Sequence, residues 1–316
     1  MYDIIIIGSG PAGMTAGIYA ARREMKTLIV GKELGGQVAL ASEIENYPGF
    51  KTISAIELVY KMKDQVEALG VEIKGAEIKR IEKKEDGTFE LISEQETFQA
   101  KTVLIAMGLS PRRLEIDGEL EFNGKGVSYC ANCDGPLFRD KRVAVVGGGN
   151  SALDAAEMLS KIAKEVYLIH RRGEYRGFEA LIEEIIARKN IHELRNSEIL
   201  KIEGDSKVEK IIVHNNKEKK NQEVQLDGVF VEVGRIAHTD ILEDLVERNA
   251  SNQIIVDELG ATKTPGLFAG GDVITSAFKQ ITVAIGTATT AALSAYQYLQ
   301  LKAGDEKKVV LDRGKV

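Results

Sequence analysis

Short, uniformly apolar runs recur along the chain and predict buried strands. The first, DIIIIG (3–8), has no polar alternation, which is typical of a parallel strand covered on both faces. A glycine cluster and an alanine-rich helical stretch follow it, and a second run, TLIVG (27–31), closes a βαβ unit. Four later runs predict further strands: KTVLIAMG (101–108), KEVYLIHRR (164–172), LDGVFVEVG (226–234) and the short GLFA (266–269).

The remaining pattern predicts hairpins, one long helix and a turn. Residues 83–91 and 203–220 alternate polar and apolar positions around Asp-Gly or Asn-Asn turns, as solvated β-hairpins do. An alanine-rich helix is expected over 281–299, and RIAHTD (235–240) is interpreted as a turn. The last dozen residues, 305–316, are strongly charged and are expected to form a loose tail.

The chain contains one long-range internal similarity. YDIIIIGSGPAGMTAGIYAAR (2–22) and KRVAVVGGGNSALDAAEMLSK (141–161) each combine an apolar run, a glycine cluster and an alanine-rich helical stretch. The two copies lie about one domain length apart. We therefore predict an α/β protein that contains two nucleotide-binding units.

Composition and charge exclude several classes of protein. The chain has 316 residues, enough for two domains, and a net charge of −6, which disfavours a dedicated nucleic-acid binder. No apolar run approaches the roughly 20 residues that cross a bilayer, and the first residues lack the basic segment and cleavage site of a signal peptide. Only two cysteines are present, so we expect a cytoplasmic protein in a reducing compartment.

A glycine motif directly follows the first predicted strand. Gly8, Gly10 and Gly13 have the G-x-G-x-x-G spacing. In this context the first glycine permits a tight turn, the second lets a pyrophosphate approach the backbone, and the third lets helix and strand pack closely. The motif favours dinucleotide binding over its alternative, a bare tight turn.

Two further features fit the same nucleotide. Glu33 lies two residues beyond the second strand, near the usual place of a ribose-binding acid, and Gly35 and Gly36 keep the backbone thin, as a flavin would require. An ordinary glycine turn is the alternative. Asp272 follows GLFA and two glycines, so its carboxylate is placed to accept hydrogen bonds from a ribityl chain. A helix N-cap is an equally open interpretation of Asp272.

The second glycine motif has a different environment. Gly147, Gly149 and Ala152 repeat the spacing with alanine in third place, which the fingerprint permits. The next strand ends in a cationic group: His170, Arg171, Arg172 and Arg176. A 2′-phosphate needs charge-assisted donors of this kind, whereas an unphosphorylated ribose usually meets an acid. The group favours NADPH, and a solvated basic helix start is the alternative.

The two cysteines, Cys130 and Cys133, form a C-x-x-C pair. A zinc site would need further ligands, and neither a second cysteine pair nor a suitable histidine spacing exists in the sequence. Such a pair readily opens and closes a disulfide, and Asp134 follows at once as a candidate proton donor. Two buried reduced cysteines are the alternative. A redox pair beside two nucleotide units favours a relay from nicotinamide through flavin to the disulfide and an external acceptor.

Seven motifs occur in one order along nearly the whole chain: G-x-G-x-x-G, G-G-Q, E-N-Y-P-G, C-x-x-C-D-G, G-G-G-x-S-A, H-R-R-x-x-x-R and G-G-D. This order resembles the low-molecular-weight thioredoxin reductases. The resemblance implies two Rossmann-like nucleotide-binding domains in a three-layer ββα arrangement. Residues 1–113 and 243–316 would form a discontinuous FAD domain, and residues 114–242 would form the inserted NADPH domain that carries the redox pair.

The same resemblance implies which residues bind each cofactor. FAD would contact Gly8, Gly10, Gly13, Glu33, Gly36, Gln37, Asn46, Asp272 and Gln280. NADPH would be bound by Gly147, Gly149, Asn150, Ser151, Ala152 and His170, and its 2′-phosphate by Arg171, Arg172 and Arg176. Asn150 departs from the family pattern, because many thioredoxin reductases have an acidic residue there.

The resemblance also implies the roles of the thiol site. Cys133 would lie against the flavin and exchange electrons with it, Cys130 would attack the disulfide of thioredoxin, and Asp134 would be the acid–base residue. Family members are usually homodimers, and they rotate the NADPH domain relative to the FAD domain during turnover. The two predicted crossings between domains lie in polar, turn-rich stretches, which is compatible with such a hinge.

Other functions stay open at this point. One alternative is the same relay acting on a glutaredoxin-like or peroxiredoxin-linked protein disulfide, with NADPH or NADH. Residues 276–299 are also similar to the flavoprotein of alkyl hydroperoxide reductase, which usually takes NADH. A flavin electron-transfer protein or a ferredoxin–NADP reductase is disfavoured because those proteins lack a redox C-x-x-C pair. A non-enzymatic nucleotide-binding scaffold is the remaining alternative.

Overall fold

The computed structural model describes residues 1–41 and 43–304. The predicted tail, 305–316, lies outside the described residues. The chain divides into two compact units. The first comprises Met1–Leu40, Tyr47–Ser110 and the chain from Ile236 onward, and the second comprises Ala41–Asn46 and Pro111–Arg235. The assignment of FAD and NADPH to separate domains, with limits at 113/114 and 242/243, stays a prediction.

The described residues form nineteen strands, which include one strand for each of the six predicted apolar runs. They are β1 (Tyr2–Ile7), β2 (Thr27–Val30), β3 (Glu43–Ile44), β4 (Ile53–Ser54), β5 (Glu72–Lys74), β6 (Ile78–Lys83), β7 (Phe89–Ser93), β8 (Thr97–Ile105), β9 (Ser110–Pro111), β10 (Val127–Ser128), β11 (Arg142–Val146), β12 (Glu165–His170), β13 (Ile191–Arg195), β14 (Ser197–Gly204), β15 (Val208–Asn215), β16 (Lys220–Gln225), β17 (Gly228–Val231), β18 (Arg235–Ile236) and β19 (Leu267–Ala269).

The described residues form six helices, including the three that the sequence predicts: one after each glycine motif and the long one near 281–299. They are α1 (Pro11–Ala21), α2 (Ala55–Ala68), α3 (Ala131–Asp134), α4 (Asn150–Ser160), α5 (Glu179–Ala187) and α6 (Ile281–Lys302), with 3₁₀ segments at Gly36–Leu40, Gly135–Phe138, Asp240–Leu245 and Gly271–Val273. None of the helices in the described ranges combines the length and the apolar composition that crossing a bilayer requires.

The first unit is built on a sheet whose central strands are parallel. Strand β1 lies between β2 and β8, with Ile5 opposite Leu28 on one side and Val103 on the other. Strand β19 also pairs in parallel with β8, while β7 pairs antiparallel with the earlier part of β8 and carries the β6–β7 hairpin. The isoleucines of β1 from Ile4 to Ile7 are buried, as expected for a strand covered on both faces.

Helix α1 packs closely against this sheet because its residues are small. Pro11 occupies the first turn, where its missing N–H costs no hydrogen bond. A Cβ on Gly17 would lie 2.7 Å from Cδ1 of Ile29, so a larger residue would push the helix away from the sheet. The long helix α6 packs against α1 and presents buried alanines, including Ala288 and Ala291.

The second unit contains a fully parallel sheet in the order β10-β17-β11-β12-β13. Helix α4 packs on β11 and β12, and α5 packs on α4. A separate antiparallel sheet, β14-β15-β16, corresponds to the predicted hairpin over 203–220. The interpretation of 235–240 as a turn is wrong in part, because Arg235 and Ile236 form the short strand β18.

The predicted fold class is confirmed, since both units are α/β with parallel sheets. Carboxyl ends of adjacent parallel strands meet at one edge of a sheet. In the first unit this edge carries the residues that follow β1, β2 and β19. In the second unit it carries the residues that follow β10, β17, β11 and β12, so the cysteine pair and the second glycine motif share an edge.

Candidate active site

The cysteine pair forms a disulfide on a short helix. Cys130 lies two residues beyond β10 and is the N-cap of α3, and Cys133 is the third residue of that helix. The two residues are disulfide-bonded, with Cα atoms 5.3 Å apart. The Cys130 carbonyl accepts hydrogen bonds from the N–H groups of Cys133 and Asp134, at 3.2 and 3.1 Å. Both cysteines are half-buried. Because they are bonded to each other, the structure differs from the alternative of two buried reduced cysteines.

Asp134 is held beside the disulfide by Ser128. The Ser128 hydroxyl donates to Oδ2 of Asp134 at 2.7 Å and accepts the N–H of Cys130 at 3.1 Å. The other carboxylate oxygen, Oδ1, is buried and has no hydrogen-bond partner in the part of the chain that the structure describes. Burial raises the pKa of Asp134, and the bond from Ser128 opposes that rise only in part. A carboxyl that retains its proton more readily is suited to proton transfer at the disulfide.

The second glycine motif is packed tightly at its first residue. A Cβ on Gly147 would lie 2.4 Å from the carbonyl oxygen of Glu232 and 2.6 Å from Cβ of Ala152. Ala152 itself is fully buried. Gly149, the N-cap of α4, has no heavy atom within 4 Å of a Cβ built on it. The motif therefore leaves room at its second position only.

The cationic group lies beside this motif. His170 is buried and its Nε2 is 3.1 Å from the carbonyl oxygen of Glu174. Burial lowers the pKa of His170, and the three neighbouring arginines lower it further. The main-chain N–H of Arg176 donates to the Gly148 carbonyl at 2.6 Å, which ties the arginine segment to the glycine motif.

The guanidinium groups of the segment are available to an anion. Arg171, Arg172 and Arg176 are exposed. None of them forms an ion pair with a carboxylate within residues 1–41 and 43–304, whereas Arg188 and Arg195 do. Unpaired, exposed guanidinium groups beside a glycine motif have the chemistry that a phosphate requires.

Two roles in this region were not visible in the sequence. A Cβ on Gly148 would lie 2.3 Å from the His170 ring, so this position needs glycine although the fingerprint leaves it open. Asn150, the departure from the family pattern, accepts the N–H of Phe178 through Oδ1 at 2.8 Å. It thus fixes the chain just after the arginine segment. Ser151 is exposed on the first turn of α4.

The first glycine motif is a main-chain assembly. A Cβ on Gly8 would lie 2.2 Å from the carbonyl oxygen of Ala106, and one on Gly13 would lie 1.8 Å from that of Gly8. Gly10 has room, since the nearest atom to its Cβ position is the Gly35 carbonyl oxygen at 3.8 Å. The Gly35 N–H donates to the Ser9 carbonyl at 2.9 Å.

The other residues predicted for FAD are spread over both units. Gln37 and the exposed Glu33 lie on the segment after β2 in the first unit. Asp272 is in the 3₁₀ segment after β19, where Gly271 packs against Ala12 of α1. The N-cap of α6 is Gln280, so the alternative of Asp272 as that N-cap is wrong. The structure groups Asn46 with the second unit and does not place it with the others.

Both glycine motifs fit a bound dinucleotide. The second glycine of each, Gly10 and Gly149, has no neighbour within about 3.8 Å of its Cβ position, so packing within the protein does not require glycine there. Each begins a helix, α1 or α4, as the N-cap and has no side-chain cap. Absence of a side chain at such a point lets a phosphate reach the first N–H groups of a helix.

Comparison with known proteins decides the family. The family model described as pyridine nucleotide-disulphide oxidoreductase matches residues 2–288. The chain belongs to this family. It is therefore an oxidoreductase, and membership implies the use of a flavin and a pyridine nucleotide.

Relatives and solved structures carry two kinds of name. The thioredoxin reductase of Treponema pallidum is 37% identical, covering 94% of this chain and 97% of its own length. The solved thioredoxin reductase of Streptococcus pyogenes is 39% identical with a TM-score of 0.88, covering 95% of this chain and 99% of that one. A Bacillus subtilis protein named NADH dehydrogenase is 39% identical over 94% of this chain, which spans only 58% of that relative.

Proposed function

We propose that the chain is an NADPH-dependent thioredoxin-disulfide reductase. The observation that carries the proposal is the Cys130–Cys133 disulfide, with half-buried Asp134 beside it, at the same sheet edge as a glycine motif and an arginine segment. Thioredoxin reductases that align over nearly their whole length with this chain support the same reaction. A homodimer, domain rotation and a cytoplasmic location stay predictions.

The residues that would hold the cofactors lie on the two glycine motifs. FAD would be held by Gly8, Gly10, Gly13, Glu33, Gly36, Gln37, Asp272 and Gln280, with Asn46 as a further candidate. NADPH would be held by Gly147, Gly149, Asn150, Ser151, Ala152 and His170, with Arg171, Arg172 and Arg176 around its 2′-phosphate. Bound FAD would supply a two-electron carrier between nicotinamide and disulfide.

The chain's own residues would then perform thiol–disulfide exchange. Two electrons and two protons convert the Cys130–Cys133 disulfide to a dithiol. The Cys130 thiolate attacks a sulfur of oxidised thioredoxin, breaking its disulfide and forming a mixed disulfide. The Cys133 thiolate attacks the Cys130 sulfur, which restores the internal disulfide and releases reduced thioredoxin. Asp134 is placed to hold one of the protons that moves in these steps.

A second acceptor and cosubstrate have one observation in their favour. Relatives named NADH dehydrogenase are as similar in sequence as the thioredoxin reductases. The alternative is the same relay with NADH and a glutaredoxin-like or peroxiredoxin-linked protein disulfide. The three arginines beside His170 favour NADPH, because its 2′-phosphate is an anion that guanidinium groups bind, whereas the unphosphorylated ribose of NADH is uncharged.

The test is steady-state oxidation of NADPH and of NADH by the purified flavoprotein, with thioredoxin from the same cell as acceptor. We expect thioredoxin-dependent turnover and a kcat/KM for NADPH at least about tenfold above that for NADH, since a charge-assisted hydrogen bond contributes roughly 1.5–3 kcal/mol. The Cys133→Ser variant should keep its flavin spectrum and lose disulfide turnover.

Three outcomes would contradict the proposal or a part of it. Turnover retained in Cys133→Ser would remove the disulfide from the reaction. If NADPH bleaches the flavin but thioredoxin is not reduced, the electron relay would stand and thioredoxin would be rejected as the acceptor. Preference for NADH would reject the role given to the arginines.

A further inference from the structure

A second half-buried acid, Glu232, lies between the disulfide and the glycine motif of the second unit. It follows β17, the strand between β10 and β11, with Ser128 opposite Phe230 on one side and Val146 opposite Val231 on the other. Strand β10 leads into the cysteine pair and β11 leads into Gly147. Because the three strands are parallel, their carboxyl ends meet, and Glu232 occupies the middle position.

The contacts of Glu232 join these two features. Its side-chain Oε1 accepts the N–H of Ala131, the first residue of α3, at 3.4 Å. Its own N–H donates to the Val146 carbonyl at 2.8 Å, and its carbonyl oxygen is the atom that excludes a side chain at Gly147. The main chain of Glu232 is therefore fixed by the sheet. Its carboxyl group contacts Ala131, which lies between the two cysteines in the sequence.

The charges around Glu232 come from three elements. Arg235 of β18 lowers its pKa, and Asp154 of α4 raises it. Asp134 and Cys133 belong to α3, the helix that Glu232 contacts, and Cys130 is its N-cap. Burial is the largest influence and, against the arginine, it raises the pKa of Glu232 to about 7. Arg235 also donates to the Tyr129 carbonyl at 3.2 Å. The carboxyl group of Glu232 and the guanidinium group of Arg235 therefore both contact the main chain next to Cys130.

We propose that Glu232 is a positioning residue of the thiol site, and that its ionisation opposes thiolate formation at the reduced Cys130–Cys133 pair. When ionised, the carboxylate binds the Ala131 N–H and adds a negative charge beside the helix. When protonated, it removes that charge, and a thiolate forms at lower pH. The two titrations are therefore coupled. The consequence of this coupling for catalysis rests on the proposed function, whereas the coupling between the two titrations does not.

The test is alkylation of the reduced holoenzyme. The anaerobic flavoprotein is reduced, treated with iodoacetamide at pH values from about 5 to 9, and the modified peptide is quantified by mass spectrometry. In the wild type we expect the rate to rise in two steps, with a break near neutral pH. In Glu232→Gln, which keeps an oxygen acceptor for Ala131, we expect one step at lower pH and a rate about tenfold higher near neutrality.

Two further variants keep the result interpretable. Asp227→Asn is the matched control, because that carboxylate also accepts a main-chain N–H in this unit, from Arg142 at 3.0 Å, and it lies at the other end of β17. Its profile should follow the wild type. Glu232→Asp keeps an ionisable group and should keep a two-step profile. Unfolding midpoint and flavin content report whether each variant is folded.

The inference is overturned if folded Glu232→Gln and wild type give superimposable profiles, or if Asp227→Asn changes the profile as much as Glu232→Gln does. It is also overturned if Glu232→Asp gives the single-step profile. Alkylation needs no thioredoxin, so the two proposals fail separately. A wild type that does not reduce thioredoxin but shows the two-step profile would reject the proposed acceptor and support the role of Glu232.

Discussion

The two glycine motifs share one spacing, yet they close around their helices differently. In the first, the third position is Gly13, where a Cβ would lie 1.8 Å from the carbonyl oxygen of Gly8. In the second, the third position is Ala152, and its methyl group is fully buried without displacing the loop. The second motif instead depends on Gly148, which makes room for the His170 ring.

This difference shows that a fingerprint locates a site without fixing which glycine is essential. The first motif is packed against main chain, since a Cβ on Gly8 would lie 2.2 Å from the Ala106 carbonyl oxygen and one on Gly13 would lie 1.8 Å from that of Gly8. The second is packed against both: the Glu232 carbonyl oxygen lies at Gly147, and the side chains of Ala152 and His170 lie at Gly147 and Gly148. A loop made of main chain presents mainly N–H groups, whereas a loop packed against His170 also lies beside the arginine segment that follows this histidine.

The largest effect on either glycine motif is expected from Gly13→Ala. The added methyl group would meet a carbonyl oxygen at 1.8 Å, and no side-chain rotation relieves a clash with main chain. We expect the free energy of unfolding to fall by about 3 kcal/mol or more and the flavin to be lost. Denaturant unfolding and the flavin-to-protein absorbance ratio measure these effects. A variant that keeps both its flavin and its unfolding midpoint would show that the two motifs close alike.

Much of the fold was predictable because it depends on local pattern. The uniform apolar runs identified β1, β2, β8, β12 and β17, since a strand buried on both faces leaves no polar position along its length. The glycine motifs were predictable for the same reason, because each joins a recognisable strand to a helix. The short strand β18 was missed, since two residues carry no periodicity.

The less predictable part of the site depends on contacts between distant segments. Ser128 and Glu232 reach the disulfide from β10 and β17, and nothing in the local sequence says that these strands pair. Glu232 did leave a signal, as the only charged residue within VFVEVG. A charge at the carboxyl end of a buried strand is worth marking as a site candidate, because burial there changes its pKa.

At their second glycine the two motifs should respond to substitution in the same way. The variants Gly10→Ala and Gly149→Ala test this expectation. Both residues have extended φ and ψ values that alanine adopts, and both Cβ positions have room. We expect the unfolding free energy to stay within about 1 kcal/mol of the wild type, while the bound nucleotide loses its close approach. Affinity should fall at least about tenfold, for FAD in Gly10→Ala and for NADPH in Gly149→Ala.

Each of these variants is the control for the other. Flavin content should be unchanged in Gly149→Ala, and nicotinamide binding by titration should be unchanged in Gly10→Ala reconstituted with excess FAD. If Gly149→Ala lost flavin and kept NADPH affinity, the assignment of the two nucleotides would be reversed.

An effect on stability alone is expected from Ala152→Gly, which gives the second motif the residue that the first one requires. Ala152 is the third residue of α4 and its methyl group is fully buried. Glycine near a helix start and the loss of one buried methyl group together cost about 1 to 2 kcal/mol, less than we expect at Gly13. NADPH affinity should not change, because the methyl group faces Gly147 and not the open position at Gly149. Urea unfolding beside a nucleotide titration checks both statements. A loss as large as that of Gly13→Ala would mean that the third position matters equally in both loops, and that clashes with main chain do not explain where glycine is needed.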